Sequence, residues 1–233
     1  MAIRHPYADK TALLLDMNGT FMFGEDRFDE TQNFAAAYYA AGGEVTADTV
    51  NRIILEAYAW LDSRYRLPQY REHFPAVADA FRAVIGGDPD RAELQRLVTT
   101  FAQHECGHIP AAYATALQRL AQNYLIGFVI DIWAPKATWL REFSRLDIDN
   151  VATAVSFSSD HGMVKPSPQP FLMVLEKLGV SADKALVIGD SADRDLCGAL
   201  AAGIDCVLVG GATDRRAIAC VDNLLGLSER IAP

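Results

Sequence analysis

Four charged side chains fall where an α/β sheet could use them for chemistry. Asp16 ends the apolar run at 11–15 and opens the stretch Asp16-Met17-Asn18-Gly19-Thr20. Lys165 precedes Pro166 in a loop ahead of an apolar helical segment. Asp190 follows Gly189 at the end of another apolar run, and Asp195 lies five residues further on. Each has an ordinary use alone: an aspartate at a strand end is commonly a helix N-cap, and a Lys-Pro pair is commonly a solvated loop. Brought together at strand ends, they offer hard oxygen ligands for a divalent cation and an amine that offsets carboxylate charge. Such a set would let a chain of formal net charge −9 hold an anionic substrate locally.

The elements needed to position these groups can be read from the apolar patterning. Short apolar runs at 11–15, 125–130, 151–157, 185–188 and 206–209 read as buried strands. Helical periodicity separates the later ones, at 111–122, 137–146, 168–178, 193–202 and 223–230. Strands alternating with helices of this length predict βαβ units and a parallel sheet with helices on both faces, a Rossmann-like α/β core. Ligands in such sheets sit beyond the carboxyl ends of the strands, where Asp16 and Asp190 both fall. Residues 21–108 differ: helical segments at 30–41, 47–65, 75–85 and 91–104 are separated by Gly42-Gly43, Pro68 and Gly86-Gly87. The expected organisation is therefore a core of residues 1–20 and 109–233 interrupted by a small helical domain of residues 21–108.

In order and context, Asp16-x-x-Gly19-Thr20, Lys165-Pro166 and Gly189-Asp190-x4-Asp195 resemble the motif series of the haloacid dehalogenase-like hydrolases, and the resemblance covers essentially the whole chain. It implies that residues 21–108 are a mobile helical cap that closes over the site. It implies that Asp16 attacks phosphorus to form an aspartyl-phosphate. Thr20 would bond to the phosphate or the nucleophile loop, and Lys165 would neutralise charge between Asp16 and the transferring group. Mg²⁺ would be held by Asp16, the backbone carbonyl of Asn18 and Asp190, with Asp195 orienting that shell. The implied substrate is a small phosphorylated molecule, and the implied activity is that of a phosphatase.

Two positions depart from the family pattern. Phosphatases of the family carry Asp two places after the nucleophile, where it protonates the leaving group; this chain has Asn18. An amide cannot do so near neutral pH, and general acid-base catalysis contributes roughly 10²–10⁴-fold. The place of the family's phosphate-binding Ser or Thr falls at Ile130 or Asp131, and an ionised Asp131 would repel phosphate, cap the next helix or hold a neighbouring group. Three readings follow: a hydrolase suited to good leaving groups, a phospho-ligand binding protein without turnover, and a 2-haloacid dehalogenase. The last tolerates Asn18, but such enzymes lack the metal-binding Gly-Asp pair kept here at 189–190.

Other features narrow the reading. A pI of about 5.0 opposes a nucleic-acid surface, and no apolar run is long enough to span a membrane. The absence of a signal peptide makes a cytoplasmic enzyme, monomeric or homodimeric, the expectation. Cys106, Cys197, Cys206 and Cys220 form no CxxC pair and read as small buried hydrophobes. His104-Glu105-Cys106-Gly107-His108 spells the H-E-x-x-H zinc-protease pattern, but Gly107 and Pro110 cut its helix short, and a hinge where the helical segment returns to the core is the preferred reading. Trp133 and Trp139 are expected to pack the core edge, and His161 to sit in a surface turn. Arg64, Tyr65, Arg66 and Tyr70 are candidate substrate contacts from the cap, or equally a solvated helix face.

Overall fold

The computed structural model describes Tyr7 and residues 9–231; the outermost parts of the predicted core, at residues 1–6, 8, 232 and 233, lie outside the described residues. Six strands form one parallel sheet: β1 (Ala12–Leu15), β2 (Leu125–Ile130), β3 (Ala154–Phe157), β4 (Ala185–Gly189), β5 (Asp205–Leu208) and β6 (Ala219–Cys220). Their order is β3-β2-β1-β4-β5-β6, with every neighbouring pair parallel. Before the sheet resumes after β1 come α1 (Ala35–Ala40), α2 (Ala47–Tyr65), α3 (Val77–Ile85) and α4 (Arg91–Glu105). The later helices are α5 (Ala111–Leu120), α6 (Ala137–Arg145), the short α7 (Ser158–His161), α8 (Gln169–Leu178), α9 (Cys197–Ala201) and α10 (Leu224–Ile231).

Buried parallel strands are apolar on both faces, and alternation along each strand divides the core in two. Leu13, Leu15, Leu186 and Ile188 join a large cluster with Leu117 of α5, Trp139 and Phe143 of α6 and Leu227 of α10. Ala12, Leu14, Ala185 and Val187 face the other way, onto Phe171 and Val174 of α8 and Ala199 of α9. The sheet order reverses between β1 and β4, which pair with Leu15 opposite Ile188. Residues leaving the carboxyl ends of these two strands therefore meet at the switch point, where crevices form in such sheets.

The chain leaves and re-enters the core at one place. Phe23 and His108 exchange backbone hydrogen bonds of 2.9 and 2.8 Å. Between them, α1–α4 pack on one another. The stripe Val50, Ile53, Ile54, Ala57 and Leu61 gives α2 its buried face, and α3 stops at Gly86, whose φ of +74° suits glycine. Their apolar side chains are continuous with the larger sheet cluster through Phe101 and Trp133.

Several elements differ from the sequence reading. The helix expected at 30–41 forms only at Ala35–Ala40, because Asp29 accepts from Thr31 N–H and Asn33 accepts from Ala35 N–H, local bonds that compete with helix. The strand expected from 151 begins at Ala154, and β6 is additional. The helix expected at 193–202 opens as a π-turn over Ala192–Leu196, with Ser191 Oγ accepting from Arg194 N–H. Of the four cysteines only Cys106 and Cys206 are buried; Cys197 is half-buried and Cys220 exposed, and all four are free thiols.

Candidate active site

Asp16 is delivered by β1 and Asp190 by β4. The Asp16 N–H donates to Ile188 C=O at 2.9 Å, tying the two strand ends together. After Asp16 the chain coils tightly, with Thr20, Phe21 and Met22 N–H groups all donating to Met17 C=O. That coil needs Gly19 at φ +69°, and a Cβ there would lie 2.1 Å from Asp190 Oδ2, so glycine permits both the turn and the approach of the second carboxylate.

The Lys165 amine is buried between two carboxylates. It donates to Asp16 Oδ1 in a short contact and to Asp195 Oδ1 at 2.8 Å. Asp195 Oδ2 accepts from Ser191 N–H at 3.0 Å, so both its oxygens are engaged and it positions the lysine. Gly189 is required here as well: a Cβ would meet the Asp195 carboxyl at 2.3 Å. Thr20 is buried beside Asp16, with its hydroxyl 3.4 Å from Oδ2. Asp16, Asp190 and Asp195 each present an oxygen within 4.8 Å of the others. All six predicted site residues thus converge, five of them lining a cavity of about 250 Å³ and Thr20 standing behind Asp16.

The crevice holds more negative charge than its lysine offsets. Burial pushes the Asp16 carboxyl up to about 8 against the opposing pull of Lys165, and Asp195 adds to the rise. Burial and Asp195 together push Asp190 up to about 6. Lys165 is held well above its usual range: its own burial opposes the charge, but Asp16 and Asp195 outweigh it. The donor set fits Mg²⁺: it is all oxygen, it is under-neutralised, and Asn18 Oδ1 is buried beside it with no hydrogen-bond partner.

Asp131, at the second-motif place, does not cap a helix. Its Oδ2 accepts from Lys165 N–H at 2.9 Å and from the Tyr65 hydroxyl at 2.6 Å, which binds the end of α2 to the core. Burial raises its carboxyl above the usual range despite nearby Lys165. Of the four candidate contacts on the helical segment, only Tyr65 reaches the crevice. Arg64 lies over Trp60, its Cζ 3.5 Å from the ring centroid, and Tyr70 stands nearby. Arg66 lines a neighbouring cavity.

The sequence reading missed Glu25, Asp26, Ser191 and Arg194, which also line the crevice. Glu25 and Asp26 follow directly on the Asp16 coil, and Arg194 lies between Asp190 and Asp195, so proximity to the motifs was the available signal. The zinc-protease pattern is not a site. Glu105 turns inward and accepts from the Trp133 and Ala134 N–H groups, while His104 bonds to Thr100 C=O and His108 faces Glu142. Trp133 and Trp139 are buried in the core as expected. His161 braces its own turn, bonding to Ser156 Oγ and accepting from Met163 N–H.

A parallel α/β core thus carries paired carboxylates and a buried lysine at its switch point, an arrangement an enzyme could use. The chain belongs to the haloacid dehalogenase-like hydrolases: the family model matches residues 10–203. Among curated relatives, glyceraldehyde 3-phosphate phosphatase of Methanopyrus kandleri is 27% identical over 139 residues, 58% of this chain and 59% of that protein. Pyrophosphatase PpaX of Bacillus cereus is 25% identical over 173 residues, 68% of this chain and 76% of that one. Among solved structures, a HAD phosphatase from Thermococcus onnurineus superposes with a TM-score of 0.62 at 20% identity, covering 95% of this chain and 97% of the other. A 2-haloacid dehalogenase from Pseudomonas syringae gives 0.63 at 21%, covering 96% and 98%. These likenesses confirm the expected fold. Among the described residues no helix is long and apolar enough to cross a membrane.

Proposed function

We propose that this chain is a Mg²⁺-dependent phosphatase of the cytoplasm. It would act on a small phosphorylated metabolite through an aspartyl-phosphate and be suited to substrates whose leaving group needs no protonation. The observation that carries this is the Lys165 amine held between Asp16 and Asp195, with Asp190 completing a cluster of carboxylate oxygens. Relatives named as phosphatases support the reading.

Asp16, Asp190 and the Asn18 backbone would hold the cation. Bound there, it supplies the positive charge that keeps Asp16 ionised beside a phosphate. Asp16 would form the new bond to phosphorus as the ester P–O bond breaks, and the leaving oxygen would depart with its electron pair. Lys165 stabilises charge on the transferring group. Water attack on the acyl phosphate would then return Asp16 and release inorganic phosphate. Residues 21–108 would act as the cap, with Tyr65 as the part that meets the core at Asp131. Closure of that kind excludes water from the reacting centre.

The test is turnover of p-nitrophenyl phosphate and acetyl phosphate with Mg²⁺ and with EDTA, alongside halide release from a 2-haloacid without metal. Mg²⁺-dependent phosphate release, and a hydroxylamine-sensitive phosphoenzyme, are expected. Metal-independent halide release in place of phosphate release would overturn the reading. Binding of Mg²⁺ and phosphate with no turnover would overturn it in favour of a non-catalytic ligand protein.

A further inference from the structure

The crevice of about 250 Å³ has room for a phosphoryl group and the few atoms beside it. A second cavity, of about 620 Å³, adjoins it and shares Tyr65, Lys165 and Arg194 as walls. Arg66 and Arg71, just past α2, and Asp193 of the π-turn are its other charged walls. The charge of Lys165 is committed to Asp16 and Asp195. Arg66 reaches Asp62 at 3.3 Å from an exposed position, a pairing of small worth in water. Arg71 makes no ion pair within 4 Å among the described residues, whereas the charge of Arg194 is shared with Asp131 and Asp195 of the crevice. The Arg71 backbone is tied to the core, its C=O accepting from Val164 N–H at 2.8 Å, and Arg194 lies over the Tyr65 ring, its Cζ 3.9 Å from the centroid.

Arg66 and Arg71 therefore stand against Asp193 among the walls of this cavity, with Arg194 shared between it and the acidic crevice, in a chain whose overall charge is −9. The local sign opposes the global one. Guanidinium groups present planar donor pairs that match carboxylate and phosphate oxygens. We infer that this cavity is the subsite for a second anionic group, a carboxylate or a second phosphate, at the end of the substrate remote from the reacting phosphate. The inference rests on the phosphatase reading and adds the class of substrate. The competing charge signal, from Glu25, Asp26 and Asp131, comes from the smaller crevice, which the reacting phosphate itself would occupy.

The experiment compares 4-carboxyphenyl phosphate, phenyl phosphate and 4-(aminomethyl)phenyl phosphate, whose remote ends are negative, neutral and positive, each kcat/KM being corrected for phenol acidity by the leaving-group dependence measured on uncharged aryl phosphates. In the natural chain with Mg²⁺, kcat/KM should favour the carboxylate over the neutral compound by about tenfold, as expected for one partly solvated charged hydrogen-bonding group, and the amine should fall below both. The ratio should shrink with added salt and drop to about one in Arg66→Gln/Arg71→Gln. Arg52→Gln, on the exposed side of α2, should keep the full ratio. A ratio near one in the natural chain, or preference for the amine, overturns the subsite. If no compound is hydrolysed the phosphatase reading has failed, and calorimetric binding to the unaltered chain with Mg²⁺ decides the subsite separately. Tenfold tighter binding of 4-carboxyphenyl phosphate over phenyl phosphate sustains it, and equal binding overturns it.

Discussion

On the proposed phosphatase reading, Asn18→Asp should extend turnover from esters with good leaving groups to alkyl phosphates. Asn18 Oδ1 already faces the crevice without a hydrogen-bond partner, so an aspartate of the same shape can occupy its place without repacking. The new carboxyl would stand among three others whose mutual repulsion and burial already hold Asp16 near 8 and Asp190 near 6. A carboxyl facing the crevice from this position can carry a proton to a departing oxygen, which an amide cannot. General acid catalysis contributes roughly 10²–10⁴-fold where the leaving group is a poor one, and almost nothing where it is good. The assay is kcat/KM across phosphate esters of graded leaving-group pKa, from p-nitrophenyl to simple alkyl, at one saturating Mg²⁺ concentration. The natural chain should show a steep dependence and the variant a shallow one, the two meeting at p-nitrophenyl phosphate and separating by about two to four orders of magnitude at alkyl phosphates. Equal slopes would refute the account of position 18.

Three further outcomes are expected. Carboxylates whose folded pKa is raised hold protons that the unfolded chain has released, so metal-free stability should fall as pH rises from about 4 through about 6 and 8, the range set by Asp190 and Asp16. Mg²⁺ should therefore raise Tm strongly at pH 8 and little at pH 5, and a pH-independent Mg²⁺ effect in calorimetry would contradict the site. Gly19→Ala should lose about 1–2 kcal/mol for its left-handed backbone and also lose the Mg²⁺ response, because the new Cβ displaces Asp190; Gly24→Ala, at φ +70° with open space around it, should lose stability alone. Lys165→Met should cost about 3 kcal/mol by leaving Asp16 and Asp195 without their shared cation, with phosphatase activity down by about 10²–10³-fold.

The parts of the site that rest on strand ends were legible in the sequence. Asp16, Lys165, Asp190 and Asp195 follow apolar runs or glycine turns whose geometry is local, and a parallel sheet brings such ends together wherever they lie in the chain. What could not be read depends on distant partners. Asp131 looked like an unwelcome charge beside phosphate; its hydrogen-bond donors, the backbone of Lys165 and the hydroxyl of Tyr65, come from a loop and a helix far from it in sequence. Arg194 resembles any surface arginine until the π-turn lifts it over Tyr65. Glu105 spelled a zinc motif and proved to bind the backbone after β2, since its burial is decided by Trp133 and Ala134. The two residues of β6 are too few for any periodicity to register.

The placement of β1 has a consequence for how the chain comes into being. Its hydrogen-bonding neighbours are β2 and β4, so a strand synthesised before both of them lies between them in the finished sheet. On the ribosome Leu13 and Leu15 emerge long before Leu186 and Ile188, and one side of β1 stays an open apolar edge until β4 has followed. A nascent chain of this design needs shielding until β4 has emerged, and a premature stop before β4 would leave an adhesive fragment rather than a smaller stable one.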